Sequence, residues 1–369
     1  MKSALSKKWI MAGALPLIGS FAVCADTTDT ITPPNANLES NIEITPYIVN
    51  GSNASVSDFP SIAALFIDSL EYDNFYSSNP YCGATILDQY HVLTAAHCIY
   101  GNEAAQLFTT VVPQLENVND YPFGNIQRYR VTEIYYRNDY DNRLSQLLAN
   151  DIAILKLSEA MNIDTVNDIV KRPSSEAYRS TFGAPEFVAI GHGDTSSGFD
   201  ATTRLQQVDL NLVSNSVCRT VFTNGSAITD RQICFDGDFS SFTQLRGGTC
   251  QGDSGGPVYW KDGSSYVQVG ITSFGPSQCG DPNAGATSVF TEIYDYRLWI
   301  NSVLSGFETP QATSSDLQRT TYLNQHGTIQ SESGSSEAGG VLSTLWLGVL
   351  LVLGLRRTHS IRILRSSGR

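Results

Sequence analysis

Three short stretches of this 369-residue chain carry side chains able to do covalent chemistry. "GGTCQGDSGGP", Gly247 to Pro257, sets Ser254 among glycines with Asp253 just before it. "LTAAHC" ends on His97 and Cys98, and "NDIAILKL" places Asp151 at the head of an apolar run. A serine hydroxyl is a weak nucleophile until a base removes its proton during attack. Imidazole titrates near neutrality and suits that task. Taken singly, neither acid nor base is diagnostic. A histidine is more often packed or solvated than catalytic, and an aspartate before an apolar run is an ordinary strand-start residue. His91, His192, His326 and His359 lie in no comparable setting and read as structural or solvated.

The elements that must position such groups are short. From Ile48, runs rich in Val, Ile, Thr, Tyr and Phe alternate with Gly/Asn/Asp/Ser turns: "SIAALFI", "GATILDQYHVLTAA", "DIAILKL", "PEFVAIGHG", "RLQQVDLNLV", "PVYW", "YVQVGITSF" and "SVFTEI". This pattern predicts an all-β domain. One helical stretch stands out, "IYDYRLWINSVL" (Ile293 to Leu304), with apolar residues at three- and four-residue spacing. The chain is acidic, with net charge -13, and no basic patch points to nucleic acid.

The N-terminus reads as a secretory signal over residues 1–25. Lys2, Lys7 and Lys8 precede an apolar run from Trp9 to Val23, and a small-residue site at Val23-Cys24-Ala25 follows. Cys24 would also suit a lipoprotein site, which bulky Val23 argues against. Residues 26–47 are polar and patternless, a pro-segment or linker. Loss of the signal leaves six cysteines, Cys82, Cys98, Cys218, Cys234, Cys250 and Cys279. An even number in an exported chain implies disulfides, with fifteen pairings open. Metal ligation is disfavoured: no CxxC occurs, and the histidines do not cluster with the cysteines. Neither a metal nor another cofactor is expected.

In this order, His then Asp then Ser with these flanks, the chain resembles the trypsin/chymotrypsin family of serine proteases from Ile48 to about Gly306. The resemblance implies two six-stranded antiparallel β-barrels, chymotrypsin-like, with a C-terminal helix. It implies a catalytic triad of Ser254, His97 and Asp151, and an oxyanion hole of the Gly252 and Ser254 N–H groups. It also implies the pairings Cys82–Cys98, Cys218–Cys234 and Cys250–Cys279. Cleavage before "IVNG" would make Ile48 the mature N-terminus, whose new ammonium would pair with Asp253. The protein would then be a zymogen with protein or peptide substrates.

The resemblance also locates a specificity pocket. Where trypsin-type members carry an aspartate six residues before the nucleophile, this chain has Gly248, followed by Thr249. Ser273, Phe274 and Gly275 match one wall, and Ser288 falls on the other. A neutral pocket cannot repay desolvation of a substrate cation, so cleavage after Phe, Tyr, Leu or Met is expected. Arg/Lys specificity is the alternative, should Asp281 fold inward. The residue before Ile48 is Tyr47, which a trypsin-like activator would not cut but an aromatic-preferring enzyme would. A catalytically silent binding module on the same fold is the other alternative, disfavoured because every triad residue is present. The acidic "NDYDN" (Asn138 to Asn142) reads as a solvated loop rather than a cation site.

Beyond Gly306 the composition turns linker-like (307–340). A tail (341–369) follows, with an uncharged run Val341 to Leu355 and then Arg356, Arg357, Arg362, Arg365 and Arg369. Fifteen helical residues rise about 22 Å, against a hydrocarbon core of about 30 Å. The span is marginal, and the arginines would stay cytoplasmic. With Gly339-Gly340 before it, this ending resembles the Gly-Gly sorting tail of exported Gram-negative proteins. That implies transient inner-membrane association of a secreted or cell-surface protein. Single-pass anchoring is the competing expectation.

Overall fold

The structure, a computed structural model, describes residues 48–180, 186–199 and 202–328. The expected signal, the pro-segment with Tyr47, and the tail lie outside the described residues. Among the described residues no helix is long and apolar enough to cross a membrane.

Two closed antiparallel barrels account for most of the fold. The first is built from β2 (Ile62–Ile67), β3 (Cys82–Ile86), β4 (His91–Thr94), β5 (Thr109–Pro113), β6 (Tyr129–Tyr136) and β7 (Ala153–Leu157). Its strand order β6-β5-β2-β3-β4-β7 closes by pairing β6 with β7. The second uses β8 (Phe187–Gly191), β9 (Gln206–Val213), β10 (Gln232–Asp236), β11 (Pro257–Asp262), β12 (Ser265–Phe274) and β13 (Ser288–Glu292). Its order β9-β10-β13-β12-β11-β8 closes through β8 and β9. A two-residue strand, β1 (Ser52–Asn53), adds to β9. Closure leaves neither barrel an open edge of the kind that templates aggregation.

Each barrel encloses its own apolar cluster. Leu65, Ala84, Ile86, Leu93, Val111, Val131 and Leu155 fill the first, and Phe187, Val208, Ile233, Phe235, Val258 and Phe290 the second. Fully burying one such large side chain is worth about 1.5–3 kcal/mol. Ile293 to Tyr296 form a 3₁₀ turn that runs into the helix Arg297–Leu304. This helix leaves the second barrel yet buries Trp299, Ile300 and Val303 against the core of the first.

The reading of 307–340 as linker is corrected for residues 307–328. Ala312–Thr313 form β14, which pairs with β6 at Ile134 and Glu133. It occupies the side of β6 that β5 leaves after pairing at Tyr129 and Arg130. Asp316–His326 then form a helix capped by the Ser315 hydroxyl. Its Arg319 is only 3% exposed. The guanidinium donates to the Leu107 carbonyl (2.7 Å), the Val131 carbonyl (2.8 Å), the Ser314 hydroxyl (3.0 Å) and Asp316 (3.0 Å). Tyr322 packs edge-on against Phe108 at 5.7 Å. A polar sequence is thus strapped to the first barrel by one buried cation and two strand-like hydrogen bonds, Gln311 N to Ile134 O and Ser314 N to Thr132 O.

Candidate active site

Asp151 sits just before β7 and is fully buried. Its Oδ1 accepts the backbone N–H of His97 at 2.8 Å, and its Oδ2 faces His97 Nδ1 at 2.7 Å. The Ser273 hydroxyl, on β12 of the other barrel, donates to Oδ2 at 2.5 Å. Thr291 on β13 donates to the Asp151 carbonyl at 2.7 Å. Four donor groups from both barrels therefore fix one aspartate. A carboxylate out of water needs such partners, because an unpaired buried charge is costly.

His97 lies in the 3₁₀ turn Ala96–Cys98 that follows β4. The Cys82–Cys98 disulfide pins this turn to β3. Burial works against the charged ring, but the Asp151 carboxylate outweighs it and raises the His97 pKa above the ordinary histidine value. With Nδ1 bonded to Asp151, Nε2 is the nitrogen left to exchange a proton. Among the described residues no hydrogen bond joins Nε2 to the Ser254 hydroxyl. Such contacts are often long in free enzymes and tighten on substrate binding.

Ser254 reaches the same cleft from the second barrel, on the turn that precedes β11. Its carbonyl accepts the Gly83 N–H at 2.7 Å. Gly83 neighbours Cys82, and its own carbonyl accepts the Thr94 hydroxyl at 2.8 Å. The nucleophile turn is thus docked on the strand pair that carries His97. A Cβ on Gly83 would lie 2.9 Å from the Gly256 Cα, so only glycine permits this approach. Gly252 adopts φ +93°, in the left-handed half of the map where L side chains are strained. The main chain can therefore turn its N–H groups into the cleft, as an oxyanion hole requires. Asp253 is buried behind that turn, where it accepts the Cys250 N–H (2.8 Å) and the Gly193 N–H (2.9 Å).

The expected pocket residues also converge. The Ser288 hydroxyl accepts both the Thr249 N–H at 2.9 Å and the Thr249 hydroxyl at 3.0 Å. Gly248 is packed tightly: a Cβ there would lie 2.9 Å from Thr287 and 3.3 Å from the Ser288 hydroxyl. Its N–H donates to the Val49 carbonyl at 3.2 Å. Ile48 and Val49 are fully buried, Ile48 within the second-barrel cluster and Val49 against the Cys250–Cys279 disulfide. The segment beginning at Ile48 thus backs directly onto the pocket. Gly275 abuts the Thr287 carbonyl, and Phe274 meets Phe222 edge-on at 5.3 Å.

Among the described residues Asp281 bonds none of Gly248, Thr249 and Ser288; it lines a cavity that shares Gly275 with the pocket wall, and its Oδ1 accepts the Asn283 backbone N–H at 2.9 Å. The third disulfide is Cys218–Cys234. In the "NDYDN" loop Asp139 pairs with Arg137 and Asp141 with Arg143, an ordinary ion-paired surface. The described metal-ligand types cluster once, at Cys82, His97 and Cys98, where both thiols are already in the disulfide. His91 pairs with Asp88 and His326 stacks on Tyr322. His192 takes the structural course: its Nε2 is buried with no hydrogen-bond partner among the described residues, and burial lowers its pKa to about 4.

Sequence reasoning missed three parts of this site: the Ser273 bond to Asp151, the Thr291 bond and the Gly83 dock. Ser273 had been placed by its motif as pocket wall. Its partner lies 122 residues away, and no local signal links the two.

A double β-barrel with serine, histidine and buried aspartate gathered between its halves defines a serine hydrolase. The model of the trypsin family matches residues 48–300. Trypsin-1 of Astacus astacus is 31% identical over 258 residues, 69% of this chain and 99% of that protein. Chymotrypsin-2 of Vespa crabro is 33% identical over 221 residues, 60% and 87% of the two chains. Human chymotrypsin-like elastase family member 1 is 28% identical over 258 residues, 70% and 92%. The chain belongs to the trypsin family of serine proteases. The relatives' names span trypsin, chymotrypsin and elastase, so kinship leaves side-chain preference open.

Proposed function

We propose that the protein is an exported serine endopeptidase, made as a zymogen and activated by cleavage before Ile48, that cuts after aromatic or large apolar residues. The observation that carries this reading is the Asp151 network. It holds His97 through Nδ1 and leaves Nε2, which lies 3.8 Å from Cys98 Sγ, as the nitrogen that would serve Ser254. His97 takes the Ser254 proton as the hydroxyl attacks the scissile carbonyl, then returns it to the leaving amine. Asp151 holds the ring and balances its charge, while the N–H groups of Gly252 and Ser254 receive the oxyanion. An acyl-enzyme results, and water releases it by the same steps in reverse.

Activation draws support from the burial of Ile48 and Val49 beside the pocket floor. Cleavage after Tyr47 would free an ammonium that, as the family resemblance implies, would pair with Asp253 and stabilise the oxyanion turn. Tyr47 fits the specificity proposed for the enzyme, so the activating cut is made by the enzyme itself or by another aromatic-preferring protease. That specificity rests on Gly248, Thr249 and Ser288, which bring no charge to a substrate side chain. Three disulfides suit an oxidising, exported setting. The tail 341–369 then serves as a transient inner-membrane hold. Fractionation of a variant lacking 341–369 tests this part, and an unchanged location removes that role.

The test of the whole is a peptide-library digest by protein cut at Ile48, beside its Ser254→Ala variant. Cleavage after Tyr, Phe or Leu that disappears in the variant is expected. Cleavage confined to Arg or Lys overturns the pocket, and no Ser254-dependent cleavage at all favours a binding module.

A further inference from the structure

The family match ends at residue 300, and the strap lies beyond it. Gln311 is where the strap reaches the first barrel, its backbone N–H donating to the Ile134 carbonyl at 2.9 Å. Its side chain does more. Oε1 accepts the Tyr136 backbone N–H at 2.8 Å, while Nε2 donates to Asn138 Oδ1 at 3.3 Å and to the Thr309 carbonyl at 3.2 Å. Tyr136 is the last residue of β6, and Asn138 lies in the loop that leads to Asp151. Across the sheet Tyr136 faces Ala153 of β7, two residues past Asp151. One amide therefore clamps both the end of the strand and the root of the loop. The far end of that loop closes on the same place, where Asn150 Nδ2 donates to the Asp139 carbonyl at 2.9 Å.

Three tyrosines carry the clamp to the catalytic histidine. The Tyr136 ring meets Tyr100 edge-on with centroids 5.2 Å apart, and Tyr100 meets Tyr140 edge-on at 5.1 Å. Edge-to-face contact is a preferred aromatic geometry and adds to what burial alone gives. Tyr100 follows the turn Ala96–Cys98 that holds His97, and its N–H donates to the Ala96 carbonyl at 2.8 Å. Tyr140 is buried in the first-barrel core, where burial first and the Asp151 charge after it raise its pKa. Asp151 and the Cys82–Cys98 disulfide hold His97 within the turn. The tyrosine row holds the residue at which the chain leaves it.

We propose that Gln311 is a positioning residue of the active site, which through Tyr136, Tyr100 and Tyr140 sets the turn that bears His97. The strap then serves turnover as well as stability. The inference rests on Ser254-dependent hydrolysis with His97 as the base. Proton transfer requires the base within hydrogen-bond reach of the nucleophile, so a small displacement of the turn lowers kcat. Binding of the substrate in its ground state, and with it KM, is little affected.

The test compares Gln311→Met and Gln311→Glu with the wild type, in full-length protein cut at Ile48 and far below Tm. The substrate is the peptide that the library digest shows to be cut fastest, and kcat is counted per titrated active site. We expect Gln311→Met to lower kcat at least about threefold, short of the roughly hundredfold of a 1 Å misplacement, with KM within about twofold. Gln311→Glu should recover the wild-type rate to within about twofold, because its carboxylate still accepts the Tyr136 N–H and the Asn138 amide can turn its NH₂ toward it. In a Tyr100→Leu background Gln311→Met should remove less than about twofold further, because perturbations of one packed row do not add. A smaller loss in Gln311→Met, a Gln311→Glu as slow as Gln311→Met, or an equal loss in both backgrounds overturns the assignment. So does a fall in Tm with kcat unchanged, which would make the strap a stabiliser alone. Amide exchange read on Ser254→Ala protein requires no turnover. There Gln311→Met should speed exchange at Tyr100 as well as Tyr136, each by at least about threefold, and acceleration at Tyr136 alone refutes the relay. That readout judges the clamp even if the proposed catalysis fails, and such a failure shows separately as cleavage independent of Ser254.

Discussion

Replacing Arg319 with methionine keeps the bulk of the side chain and deletes its donors. In the wild type the guanidinium satisfies the Leu107 and Val131 carbonyls, the Ser314 hydroxyl and Asp316. Without it, Val131 O retains the Ser314 hydroxyl and Asp316 retains Tyr72, but Leu107 O loses the only side-chain donor it has from the strap. A stranded buried carbonyl costs about 1–3 kcal/mol, and a hydrogen bond from a charged donor is worth about 1.5–3 kcal/mol. The sum is about 2.5–6 kcal/mol. For a domain of this size each kcal/mol moves Tm by about 2–4 °C, so calorimetry should show a fall of about 5–24 °C. Arg319→Lys should recover part of it, because an ammonium cannot serve carbonyls on two sides at once. Asp316→Ala, at an exposed end of the network, should cost under about 1 kcal/mol. A Tm of Arg319→Met within about 2 °C of the wild type would show that the strap unfolds apart from the first barrel. The reasoning would then fail.

In Asp151→Asn the backbone N–H of His97 keeps the amide oxygen at the Oδ1 position, so the NH₂ faces Nδ1 and forces the proton onto Nε2. Loss of the general base should lower kcat by at least about a hundredfold, read with a Tyr peptide at pH 8. Ser273→Ala leaves that tautomer intact and should lower kcat/KM by no more than about tenfold, a much smaller loss than Asp151→Asn in the same assay. Gly248→Asp should not create Arg specificity. Its Cβ would meet Thr287 at 2.9 Å, and that overpacking costs about 1–3 kcal/mol; the Arg-to-Tyr ratio of kcat/KM checks it. His192 has a folded pKa of about 4, below the ordinary 6.5, because burial disfavours its charge. The unfolded chain therefore binds the proton first, and stability is lost as pH falls from about 6.5 to 4, levelling off below that. The loss approaches about 3 kcal/mol, and urea midpoints of wild type and His192→Phe across that window should diverge by this amount.

Ser254, His97 and Asp151 stood out as candidates because each sits in a local motif, and the barrels were legible because most of their strands are short runs of β-branched and aromatic residues. Strands β5, β6 and β10 were less so. "YRVTEIYY" mixes Arg130, Thr132 and Glu133 among its apolar residues, and "TTVVP" spans five residues and ends on proline. The strap was read as linker because the segment Ala312 to His326 has no apolar stripe. Its hold on the barrel lies in one arginine bonded to carbonyls, and an arginine in a polar sequence looks the same whether buried or solvated. The supports of the site were hidden for another reason. Ser273, Thr291 and Gly83 act through contacts between barrels, which only the closed fold creates. The position of Asp281 was equally a matter of loop conformation, which composition does not fix.

The strap also orders events in time. Gln311 bonds the Tyr136 N–H across 175 residues of sequence, and Arg319 reaches the Val131 carbonyl across 188. A chain that emerges N-terminus first has therefore made both strand sets before the piece that finishes the first one exists. Contacts of such separation are formed late and slowly, because loop closure must precede their reward. The half of the molecule that carries His97 and Asp151 stays incomplete until nearly the whole chain is available.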